Sequence, residues 1–160
     1  MARILWCRGI AACLLGLLLP VGAVHAAADG GTSAIRTLLM HRFDKPEARL
    51  VVEPVVVRGG HAVAGWVQGE RGGRALLLLE HGKWKLVACA GDAFKEAAEL
   101  ELAGITPADA RSLAKSLAAA EAKLPAEQVR KLSLFEGVMR MDADGSRPPH
   151  AHGGHAGSKP

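Results

Sequence analysis

The residue types best suited to chemistry in this sequence are metal donors. His150, His152 and His155 stand near the C-terminus, separated by Ala, Gly and Gly. Imidazole suits cupric copper, zinc and nickel, so these three cannot choose among metals. Histidines clustered in a polar tail are a compositional metal signal. The competing reading is a solubilising tail that contains histidine. Met139 and Met141 flank Arg140. Thioethers are soft donors that favour cuprous copper, and an extended Met-x-Met presents both on one side. The competing reading makes them fillers of core gaps. Cys89 is either a soft ligand or redox thiol, or a small buried hydrophobe, the commoner fate of an unpaired cysteine.

Other candidates carry less. Met40 and His41 are adjacent in a helical stretch and point in different directions. His61 and His81 sit beside tight turns and are expected in solvent. Trp66 and Trp84 read as core or cross-strand packing. There is no P-loop, dinucleotide fingerprint, His-Glu-x-x-His or Cys-x-x-Cys. Nothing places a histidine beside Cys89, and no catalysis is expected.

The start of the chain reads as an export signal. Arg3 and Arg8 precede an apolar run, and Val24-His25-Ala26 ends it with a small residue at the cut. Residues 1–26 are therefore a secretory signal peptide, with cleavage after Ala27 or Ala28 nearly as acceptable. A retained anchor is disfavoured, because a membrane span needs roughly 20 apolar residues. A lipidated Cys13 is disfavoured too, since the apolar run lies mostly after it. The expected location is the periplasm or the exterior, with no stable membrane insertion after cleavage.

Cys7 and Cys13 leave with the signal, so Cys89 has no partner within the chain. The formal charge of +4 falls by two when Arg3 and Arg8 leave. Charge so balanced, without a basic stripe interleaved with aromatics, gives no reason to expect nucleic acid.

The elements that must position these donors follow from periodicity. Residues 27–31 form a short linker, 32–141 a single domain, and 142–160 a Gly/Pro/His tail too polar to order itself. Residues 32–43 read as a helix capped by Thr32 or Ser33 and ended at Asp44-Lys45-Pro46. Four strands follow at 50–58, 61–68, 73–80 and 83–90. Their turns are Gly59-Gly60, residues 69–72 and His81-Gly82. Pro54 marks an edge strand or a bulge.

A two-residue turn at His81-Gly82 pairs Leu79 with Trp84, Leu77 with Leu86 and Ala75 with Ala88. That apolar face is expected to be the core face. Cys89 then opposes Arg74 on the other face, where a cation would favour its thiolate; a one-residue bulge overturns this. A short helix capped by Asp92 runs to Leu102, with Gly104 as its stop. Thr106-Pro107-Ala108-Asp109 opens another, with Ala110, Leu113, Leu117, Ala120 and Leu124 inward. A last helix spans 126–138, with Val129, Leu132 and Phe135 inward. The expected fold is α+β: a helix, a four-stranded antiparallel meander, then two to three helices.

Several stretches resemble the copper uptake system-associated proteins. They are residues 52–75 (VEPVVVRGGHAVAGWVQGERGGRA), 82–92 (GKWKLVACAGD), 113–123, and 134–142 (LFEGVMRMD). The signal peptide and the histidine-bearing tail are similar as well. The resemblance spans nearly the whole mature chain and rests on no known catalytic motif. It implies a periplasmic accessory role in copper uptake, beside a copper transporter or a periplasmic copper chaperone, and makes copper the metal to consider. The alternatives are an interaction module that holds no metal, and a small-ligand binder using the concave side of the sheet.

Overall fold

The computed structural model describes residues 23–142, with side chains from residue 30 onward. The element order is α1 (Ala23–Phe43), β1 (Leu50–Arg58), β2 (His61–Gln68), β3 (Arg71–Glu80) and β4 (Lys83–Ala90). A 3-10 turn at Asp92–Lys95 leads to α2 (Ala97–Leu102), α3 (Pro107–Glu121), α4 (Ala126–Leu132) and β5 (Val138–Arg140). The strands form one antiparallel sheet in the order β1-β2-β3-β4-β5. The α+β fold, with its N-terminal helix, four-strand meander and C-terminal helices, is as expected from the sequence; the short fifth strand is an addition.

Both faces of the sheet are buried. On one face Val56, Val63, Leu76, Ala88 and Ala90 pack against Phe94, Leu100, Leu113 and Leu117 of the later helices. On the other, Ile35 and Leu39 of α1 pack against Leu50, Ala62, Ala75, Leu77 and Leu86. Sequence reasoning assigned a core to one face only. A strand covered on both sides reads as a continuous apolar run, and Ala75-Leu-Leu-Leu-Leu79 is such a run.

Two irregularities set the register. Pro54 lies on the edge strand β1, in a bulge between Val52 and Val55 that contains the cis Glu53–Pro54 bond. Gly65 lies beneath it, where a Cβ would meet the Glu53 carbonyl. The second bulge falls between β3 and β4. Leu77 pairs with Leu86, but Leu76 pairs with Ala88, so Val87 is the extra residue. The expected pairs Leu79–Trp84 and Leu77–Leu86 form; Ala75–Ala88 does not. Beyond the bulge Ala75 opposes Cys89 and Arg74 opposes Ala90. One inserted residue turns all that follow onto the other face.

Three helix ends also differ from expectation. Helix α1 extends back to Ala23 through the expected linker, so Thr32 and Ser33 lie within it rather than capping it. Asp92 makes no capping bond. Helix α4 stops at Leu132, and Gly137 takes a left-handed φ of 70° before β5 begins. By contrast, α3 starts as read, with the Thr106 hydroxyl accepting from the Asp109 N–H at 3.3 Å. The third strand begins at Arg71, not Gly73, because the turn before it is shorter than the glycine run suggested. Gly72 lies within the strand, where a Cβ would strike the Lys131 carbonyl.

Candidate functional site

Arg74 is fully buried among the later helices. Its Nε donates to Glu121 at 2.6 Å and one Nη donates to the same carboxylate at 2.8 Å. The other Nη donates to the Leu132 carbonyl at 3.1 Å and to Asp92 at 3.2 Å. This two-pronged pairing satisfies a charge that burial would otherwise make costly. The arginine thereby ties β3 to the end of α3, the 3-10 turn and the end of α4. Asp92 also accepts from the Ser133 hydroxyl at 2.6 Å. That bond, helped by Lys95 and Arg74, holds its carboxyl below the usual aspartate range.

Cys89 lies on the opposite face, against the α1 layer, and is 8% exposed. The expected Cys89–Arg74 neighbourhood does not exist, because the Val87 bulge separates their faces. Burial pushes the thiol up to about 12, the reverse of the lowering expected beside a cation.

The short strand β5 brings the other soft donors to this place. Met139 sits directly opposite Cys89, and paired residues of an antiparallel ladder project on one face. Met141 follows two residues on, and its N–H donates to the Val87 carbonyl at 2.9 Å. The extended Met-x-Met arrangement is thus present, on a strand and not at a helix end as sequence reasoning had it. Met141 and Cys89 line one cavity.

That cavity has a geometric origin. A single helix about 10 Å across cannot cover five strands spaced about 4.8 Å apart. The uncovered strip leaves a cavity of about 190 Å³ under the end of α1. Leu39 and Phe43 form its roof, and Trp66, Arg71 and Ala75 stand on the sheet side. Gln68 fixes the roof: its Nε2 donates to the Phe43 and Ala48 carbonyls at 2.7 and 2.8 Å. Trp66 packs edge-on against Phe135, with ring centroids 6.1 Å apart. The tryptophan is a packing residue, as expected, and a cavity wall as well.

The histidines are not gathered with the sulfurs. His41 and His81 are exposed. His61, expected in solvent, is half-buried, and its Nδ1 is shielded with no hydrogen-bond partner among the described residues. His150, His152 and His155 lie outside the described residues, as does most of the expected signal peptide. Among the described residues no three His, Cys, Asp or Glu side chains come together to hold a metal ion. The donors that do converge are sulfurs. Among the described residues, no helix is long and apolar enough to cross a membrane.

Two features escaped sequence reasoning. Arg74 is a charge inside an apolar strand, which signals a buried partner, but nothing in the spacing names Glu121. Arg71 at the cavity mouth carried no signal at all. Comparison with protein-family models, curated proteins and solved structures finds no match for this chain.

Proposed function

We propose that this protein is a periplasmic accessory protein of copper uptake. It takes cuprous copper as cargo at Cys89, Met139 and Met141, and passes it to a copper transporter or chaperone. The observation that carries the reading is the meeting of Cys89, Met139 and Met141 where β4 pairs with β5. Thiolate and thioether ligands select cuprous copper over harder divalent ions. The resemblance of residues 52–75 and 82–92 to copper uptake system-associated proteins supports the same reading. In it the tail residues His150, His152 and His155 act as a weaker outer collector for divalent copper, and no catalytic step takes place.

The test is a titration of the reduced protein with cuprous ion against a competing chelator. It is repeated for Cys89→Ser, for Met139→Leu with Met141→Leu, and for a chain ending at Asp142. Cuprous binding survives removal of the tail, and each sulfur variant weakens it by about tenfold or more. Binding lost with the tail alone would move the site to the histidines. No binding above the chelator would remove the carrier role and leave an interaction module of the envelope that holds no metal.

A further inference from the structure

The cavity under α1 carries groups that the sulfur donors leave unused. Its walls are mostly apolar, and Arg71 is the one charged residue among the described residues that line it. The Arg71 side chain is exposed at the start of β3 and makes no ion pair or hydrogen bond among the described residues. Trp66 lines the same cavity with its ring. The amide nitrogen of Gln68 is already committed to the Phe43 and Ala48 carbonyls. Among the described residues, Arg71 therefore places a full positive charge at the cavity with no protein partner, and no carboxylate lines the wall to oppose it.

A guanidinium at the mouth of an apolar cavity favours a planar anion, which it can meet with two parallel bonds. Size sets a further limit: an apolar cavity of about 150 Å³ accommodates a benzene ring. We propose that the cavity binds a small apolar monocarboxylate, its hydrocarbon part inside and its carboxylate against Arg71. The hydrocarbon part is about six to eight carbons, a ring or a short chain. A cation of the same size is repelled at the mouth, and a neutral hydrocarbon gains nothing from the guanidinium. Cys89 and Met141 belong to the same wall, so an acid in the cavity shields them.

The experiment uses the metal-free full chain as the cell processes it, so its outcome does not depend on the copper reading. Benzoate and hexanoate are titrated by calorimetry and by tryptophan fluorescence, with benzyl alcohol and hexanol as uncharged counterparts. The acids bind at least about tenfold tighter than the alcohols, the worth of one charge-assisted contact. Arg71→Gln, an exposed substitution, removes that preference while the circular dichroism spectrum is unchanged. Arg71→Lys keeps part of it. Ala75→Leu fills the cavity and abolishes binding of acids and alcohols alike; if that variant does not fold, the Arg71 pair decides. Equal affinity for acid and alcohol, an Arg71→Gln variant that binds like the parent, or no acid binding at millimolar concentration each overturns the proposal.

Discussion

The chemistry of Cys89 depends on which way one side chain points. Beside a guanidinium the thiol would ionise readily; in the α1 layer burial raises its pKa to about 12. An aromatic disulfide reagent at pH 8 should therefore label it only on unfolding, and full labelling of the native protein within seconds would contradict this environment. The sign of the linkage follows. Its folded pKa lies above the ordinary value of 9.0. The stability it contributes is full below pH 9 and declines as the pH rises towards 12. Cys89→Ala should flatten that part of the alkaline stability profile. Arg74 shows the converse limit of sequence reading. A charge between Gly73 and Ala75 announces a need for a partner, but Glu121 lies 47 residues away and is brought near only by the packing of α3.

At the scale of elements, most boundaries were legible because local signals agreed. The bounds of β1, β2 and β4 follow from valine-rich or alternating runs closed by Gly59-Gly60 and His81-Gly82, and the start of α3 follows from Thr106-Pro107. The departures occur where a distant segment of chain sets the outcome. Gly72 reads locally as turn, yet it is glycine because the Lys131 carbonyl passes over it. Gly91 is likewise closed off by the Phe135 carbonyl. These two positions let the end of α4 and the segment after it cross the sheet end and deliver Phe135 and β5 to the α1 face. Gly72→Ala should thus destabilise the fold by about 3 kcal/mol through overpacking, measured by urea unfolding. A change under about 0.5 kcal/mol, the scale of an ordinary surface substitution, would mean the crossing is loose. The apolar residues of 126–138 fit a helix, but Val138 to Arg140 instead pair with the open edge of β4, and the left-handed Gly137 separates the two conformations.

Among the described residues the sheet lies between unequal layers: several helices on one side and α1 alone on the other. Ile35 anchors the thin layer and Leu113 the thick one, and both are fully buried. Because both layers share one sheet, Ile35→Ala and Leu113→Ala should each cost about 2–5 kcal/mol. Their effects should add within about 0.5 kcal/mol in a single transition. Two separate transitions by calorimetry would show that α1 can leave without unfolding the rest. The imbalance also explains the cavity, for the strip that α1 only partly roofs holds Cys89, Met141, Trp66 and Arg71 together.

Local sequence signals set the periodic features: the α+β class, the meander, its tight turns, the cap of α3, and the identity of the soft donors. These depend on residues near one another in the chain, where turn chemistry and alternation act. Tertiary structure alone decided the facing of Cys89, the partners of Arg74, the strand character of Met139, and the cavity. Each of these depends on a bulge, a glycine crossing or the width of a covering helix. Such features change which residues meet across the fold while leaving the local apolar pattern almost unaltered.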